Sequence, residues 1–214
     1  MRSIFQPAAP DATAPVRIVL LPGAYHSAQD LVHAGFVDSV RRRRLAIDLT
    51  LVDLELHHLG ERGVLRQLRN DIVMPARALG GTAVWLAGIS LGGFIALDYA
   101  ACHPGELDGL CLLAPYLGNR MLLAEIARAP GLAAWQPGKL AETDEERRIW
   151  RFIKTYSAQS IPVYLGYGRE DRFAQAHELM ARALPDTAVK VVPGGHGWLA
   201  WSGLWENFLD ITFT

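Results

Sequence analysis

Gly88-Ile89-Ser90-Leu91-Gly92 sets a hydroxyl between glycines two residues away on either side, directly after the apolar run Ala83 to Ala87 and directly before the apolar stretch Phe94 to Cys102. A strand that turns this sharply into a helix holds its middle residue in a strained backbone conformation, and the flanking positions must lack side chains for strand and helix to pass. The hydroxyl then stands exposed at the carboxyl end of a sheet, at a helix N-terminus whose N–H groups stabilise developing negative charge. The chemistry this serves is nucleophilic attack by Ser90 on an acyl carbonyl.

A serine hydroxyl is a poor nucleophile at neutral pH and needs a base within hydrogen-bonding reach. Of seven histidines, His196 is the best placed: it lies in Pro193-Gly194-Gly195-His196-Gly197, a loop straight after the apolar run Ala188 to Val192. The base in turn needs an acid that fixes its tautomer and balances the imidazolium. Asp171 follows the run Val163 to Tyr167 in Gly168-Arg169-Glu170-Asp171-Arg172. Glu170 is its rival, Asp108 a weaker one because it precedes its strand, and the flanking arginines offer Asp171 a surface ion pair instead. Two backbone donors are expected for the oxyanion: the N–H of Leu91, and one from Ala24 or Tyr25 in the loop Pro22-Gly23-Ala24-Tyr25-His26.

Other histidines carry less. His57-His58 invites a metal reading, but no third and fourth ligands recur at suitable spacing, so the pair reads as a polar strand end. His33, His103 and His177 fall on predicted helices or their ends and are expected to be solvated. Cys102 and Cys111 read as reduced thiols without a catalytic role.

These residues need a scaffold. Strands are predicted at Val16 to Leu21, Ile47 to Leu54, Ala83 to Ala87, Leu107 to Ala114, Pro162 to Tyr167 and Ala188 to Val192, and helices at Val64 to Leu79, Phe94 to Cys102, Phe173 to Leu184 and Trp198 to Leu209. Pro75 is expected to kink the first of these helices. The alternation implies βαβ crossovers, and so an α/β fold with a mostly parallel sheet of about six or seven strands and helices on both faces. One interval, about 116–160, breaks the alternation with two helical segments and reads as a small helical lid inserted in a single 1–214 domain. Its second helix is marked by a capping box at Thr143-Asp144-Glu145-Glu146, with Ile149, Phe152, Ile153 and Tyr156 on one face. The aromatic residues Trp135, Trp150, Phe152 and Tyr156 are expected either to form an apolar acyl pocket or to be ordinary core.

The 214 residues are half hydrophobic, and 21 basic side chains stand against 22 acidic ones. This balance gives no electrostatic reason to expect nucleic acid or an anionic membrane as partner. No segment has the length of a membrane-spanning helix and residues 1–15 hold no signal-peptide core, so a cytoplasmic protein acting on a small molecule, uncharged or weakly charged, is expected.

With the elbow, the acid loop and the histidine loop in the order Ser, Asp, His, the sequence resembles the α/β-hydrolase superfamily from Val16 to Phe208. The resemblance implies a small carboxylesterase or thioesterase that uses no cofactor or metal and passes through an acyl-enzyme. Leu21-Pro22-Gly23 departs from the His-Gly usual at the oxyanion loop, which leaves the second donor open. Serine at the elbow disfavours dehalogenase-like members, which carry aspartate there, and dienelactone-hydrolase-like members, which carry cysteine. An acyltransferase, a carbon-carbon bond hydrolase or a non-catalytic binding module are the competing readings.

Overall fold

Uninterrupted apolar runs become the interior strands of one sheet. The computed structural model describes residues 1–10, 12–54, 63–156 and 161–214. Its strands are β1 (Ser3–Gln6), β2 (Val16–Leu21), β3 (Ile47–Val52), β4 (Ala83–Ile89), β5 (Gly109–Leu113), β6 (Val163–Gly168) and β7 (Val189–Val192), in the spatial order β1-β3-β2-β4-β5-β6-β7. All neighbouring pairs are parallel except β1 with β3, where Ser3 opposes Val52 and Gln6 opposes Leu49. Every residue of β3, β5 and β6 is buried, as a sheet covered on both faces requires.

Side chains alternate across the sheet, and the glycines show what each face meets. A Cβ on Gly166 would come within 2.7 Å of Leu204, while the neighbouring Tyr167 ring lies 5.0 Å from His177. One face therefore carries the helix α9 (Trp198–Phe213) and the other α8 (Ala174–Ala181). On β4 the Trp85 ring packs on Phe208 of α9, while Gly88 backs onto the helix α5 (Leu91–Cys102).

Two short helices, α1 (Ala28–His33) and α2 (Phe36–Arg42), join β2 to β3, with His33 at the end of the first. The strand β1 was not foreseen. The helix before β4 runs as α3 (Gly63–Gln67), a π-helical segment (Leu68–Val73) and α4 (Met74–Ala78), with the Met74 N–H donating to the Arg69 carbonyl. The widened turn precedes Pro75, which has no N–H to continue an α-helical ladder, so the expected kink takes the form of a π-bulge. The His57-His58 pair lies outside the described residues.

Between β5 and β6 the chain forms α6 (Arg120–Arg128), a 3-10 turn (Leu132–Ala134) and α7 (Glu145–Lys154), and no strand among its described residues. The α7 cap is Asp144, whose side chain accepts from the Arg147 N–H, rather than Thr143. The reason is Glu146: its carboxylate accepts from Tyr116, Asn119 Nδ2 and the Asn119 N–H and cannot reach back to close a capping box. Arg148 of α7 forks onto Asp98 of α5 at 2.6 and 2.9 Å, with both side chains largely buried. Among the described residues no helix is long and apolar enough to cross a membrane.

Candidate active site

The carboxyl ends of β2, β4, β5 and β6 form one rim, because Leu21 pairs with Gly88, Ile89 with Leu113 and Leu113 with Gly166. Three of the four described non-glycine residues with positive φ stand just beyond this rim: Tyr25 (65°), Ser90 (51°) and Ala114 (47°). Backbone strain is thus concentrated where β2, β4 and β5 end.

Ser90 occupies the N-cap of α5 with φ 51° and ψ −109°. The turn closes so tightly that a Cβ on Gly88 would overlap the Gly92 carbonyl, one on Gly92 would overlap the Leu21 carbonyl, and one on Gly93 would come within 2.7 Å of Pro115. The Ser90 N–H donates to the Leu113 carbonyl at 3.0 Å, and the Ser90 carbonyl accepts from Phe94 and Tyr116 at 3.1 and 2.9 Å. Only the hydroxyl is left to the site. Leu91 opens the helix, so its N–H has no intrahelical acceptor and faces the same end as the hydroxyl.

His196 Nε2 lies 2.9 Å from Ser90 Oγ, and its Nδ1 lies 2.7 Å from Asp171 Oδ2. Three loops separated by up to 106 residues thus meet in consecutive contact. The imidazole meets Phe173 and Trp201 in perpendicular ring contacts, with centroids 5.1 Å away in both and interplanar angles of 87° and 89°. The Asp171 side chain is fully buried. Burial pushes its carboxyl up, but the hydrogen bonds from His196 and from the Phe173 N–H (2.8 Å) outweigh this and hold it below the ordinary aspartate value.

The rivals do other work. Glu170 accepts from the Gly194 N–H, and its own N–H donates to the Gly194 carbonyl at 3.1 Å, so it pins the histidine loop to the acid loop. Asp108 sits at the opposite end of the sheet, bonded to Arg77 and the Val84 N–H. His177 corrects the expectation of solvation: it is fully buried, with Nε2 2.8 Å from the Pro115 carbonyl, and burial holds its pKa below the usual value despite that bond. Cys111 is buried and Cys102 half-buried, both unbridged.

The loop after β2 turns back at once, with the His26 N–H donating to the Gly23 carbonyl at 3.2 Å. An added Cβ on Gly23 would stand 3.6 Å from the Ser90 Cβ, so this loop abuts Ser90. Tyr25 sits in the left-handed region with its ring 94 % exposed, and Ala24 is half-buried.

A cavity of about 530 Å³ lies against Phe173, whose ring touches His196, and none of Ser90, Asp171 and His196 lines it. Its walls include Tyr116 and Phe173 from the ends of β5 and the acid loop, and Leu123, Ala124 and Ala127 from α6. None of Trp135, Trp150, Phe152 and Tyr156 lines it, which corrects the expected acyl pocket. Trp150 is buried with its Nε1 donating to the Leu117 carbonyl at 2.6 Å, and Trp135 is buried and bonded to Glu125. Phe152 and Tyr156 line separate depressions. Tyr116 and Phe173 were missed, though each follows a strand's carboxyl end, the position that builds sites in parallel sheets. Burial, then the Glu146 carboxylate, push the Tyr116 hydroxyl up to about 12, so it stays a donor.

The arrangement is that of the α/β-hydrolase fold. The family model Esterase matches residues 71–206, a span that holds Ser90, Asp171 and His196, and the chain belongs to this family of ester hydrolases. Among solved structures it is similar to a ferulic acid esterase (14 % identity, TM-score 0.65, 94 % of this chain and 85 % of that one). It is also similar to the S-formylglutathione hydrolase of Staphylococcus aureus (12 % identity, TM-score 0.62, 94 % and 82 %) and to the monoacylglycerol lipase of Paleococcus ferrophilus (14 % identity, TM-score 0.64, 97 % and 96 %). At these identities the likeness is one of fold. A search of curated proteins returned no match.

Proposed function

We propose that the chain hydrolyses a small acyl ester or thioester through an acyl-enzyme on Ser90. The observation that carries this reading is the unbroken contact from the Ser90 hydroxyl through the His196 imidazole to the Asp171 carboxylate. In the first half-reaction Ser90 Oγ attacks the acyl carbonyl as His196 Nε2 takes its proton, and Asp171, bonded at Nδ1, balances the imidazolium. The tetrahedral oxyanion falls to the Leu91 N–H and a second donor from Ala24 or Tyr25. His196 returns the proton to the leaving alcohol or thiol, freeing it from the acyl group. In the second half-reaction water gives a proton to His196 as its oxygen adds to the acyl carbonyl, and the collapse of that adduct breaks the bond to Ser90 Oγ, which takes the proton back from His196 as the carboxylic acid leaves. Preorganised donors of this kind contribute about 3 to 4 kcal/mol each to lowering the barrier.

A fluorophosphonate probe and p-nitrophenyl butyrate test the reading together. Wild type should label and turn over the ester, and Ser90→Ala should do neither, with kcat down by about 10⁵ to 10⁶. Labelling that persists in Ser90→Ala, or its absence in wild type, would overturn the assignment. An acyl-thioester run beside the butyrate decides between oxygen and sulfur leaving groups.

A further inference from the structure

The cavity against Phe173 is apolar along α6 and at that ring, yet its lining carries charge of one sign. Arg120, the first residue of α6, and Arg172, between Asp171 and Phe173, both line it, and no carboxylate does. Elsewhere the arginines that brace the fold hold acids, as Arg148 holds Asp98 and Arg69 holds Glu106. Among the described residues neither Arg120 nor Arg172 has a carboxylate within 4 Å. The nearby acids are committed: Asp171 to His196, and Glu146 to Tyr116 and Asn119.

Arg172 is also positioned. Its guanidinium lies 4.9 Å above the centre of the Phe173 ring, and that ring meets the His196 imidazole at 5.1 Å. The guanidinium is therefore no farther from the imidazole than those two contacts laid end to end, a reach that a short substrate chain spans. A planar fork held over an aromatic face at the edge of a cavity suits a carboxylate bidentately.

We propose, resting on the ester-hydrolase reading above, that the cavity selects esters whose far end carries a carboxylate, taken between Arg172 and Arg120 while the apolar chain lies along Leu123, Ala127 and Phe173. The charge sits on either the acyl or the alcohol part, and the assay separates the two. The p-nitrophenyl ester of hydrogen adipate, with its free carboxylate, is compared with that of methyl adipate; on the alcohol side, 4-butyryloxybenzoate is compared with its methyl ester.

In at least one pair the anionic member should show a kcat/KM about tenfold higher, carried by KM, as expected for a hydrogen-bonded charge pair. In wild type that ratio should shrink toward one as NaCl rises to about 0.5 M, where screening acts within a few ångströms. It should collapse in Arg120→Gln/Arg172→Gln and survive in Arg120→Lys/Arg172→Lys. Equal or inverted ratios in both wild-type pairs at low salt overturn the proposal, as does a preference untouched by salt or by the glutamine pair. The salt series needs no variant, so a folding defect in the glutamine pair does not shield the proposal. Ser90-dependent turnover of p-nitrophenyl butyrate without any anion preference removes this inference alone; failure of that turnover removes the ester-hydrolase reading.

Discussion

Gly92 passes so close to Leu21 that a Cβ on the glycine would occupy the place of the Leu21 carbonyl. The first turn of α5 is thereby seated directly on the end of β2, and the two segments proposed to donate to the oxyanion share one backbone contact. Gly92→Ala should cost about 1 to 3 kcal/mol or more, since the obstruction is backbone and cannot rotate away. Urea unfolding checks this. The opposite outcome is expected at Gly203 in α9, where a Cβ meets nothing within 4 Å and the helix conformation is ordinary: Gly203→Ala should gain about 0.5 to 1 kcal/mol.

The acid can be told from its neighbour by kinetics. Asp171→Asn cannot stabilise the imidazolium and should lower kcat on p-nitrophenyl butyrate by roughly 10³ to 10⁴ with little change in KM. Glu170→Gln keeps an acceptor for the Gly194 N–H and should stay within about tenfold of wild type. A reversal of that ranking would move the acid to Glu170.

His177 gives stability a pH dependence of definite sign. Its folded pKa is depressed below 6.5, so between the two values the unfolded chain takes up a proton that the folded chain refuses. Stability should therefore fall as pH drops through about 6.5 and level off below the folded pKa. Asp171, also depressed, acts only in the acid range below its usual value of 3.8 and does not enter this window. Urea midpoints from about pH 7.5 to 5.5 should slope less in His177→Gln than in wild type.

The α5–α7 fork predicts non-additivity. Arg148→Ala strands the buried Asp98 carboxylate and should cost about 3 to 5 kcal/mol, whereas Asp98→Leu/Arg148→Met should recover most of that loss. Matching losses in the single and the double variant would contradict it.

Why some of this was legible and some not follows from the physics of each residue. Gly88, Ser90 and Gly92 were readable because a tight strand-to-helix turn excludes side chains at fixed offsets, and the structure fills those places with backbone. His196 and Asp171 were readable as polar loop residues just past strands. By contrast, Ser3–Gln6 holds only two apolar residues and is a strand because β3 offers it an edge, which no local pattern reveals. Trp150 looked like a pocket residue because an aromatic side chain in a predicted lid suits a pocket and a core equally well. His177 is buried because a distant carbonyl, that of Pro115, satisfies it. Arg120 and Arg172 lie 52 positions apart and become neighbours of one cavity only when α6 folds over the acid loop.

The short antiparallel strand β1 guards the chain against its own kind. Without it, the wholly buried β3 would present an open ladder of N–H and carbonyl groups flanked by Ile, Leu and Val, a template for another molecule's strand. The far border needs less protection, since β7 is four residues long and carries Lys190. Removing residues 1–7 should accordingly yield a protein that assembles into higher-order species in light scattering, even where its esterase centre is otherwise intact.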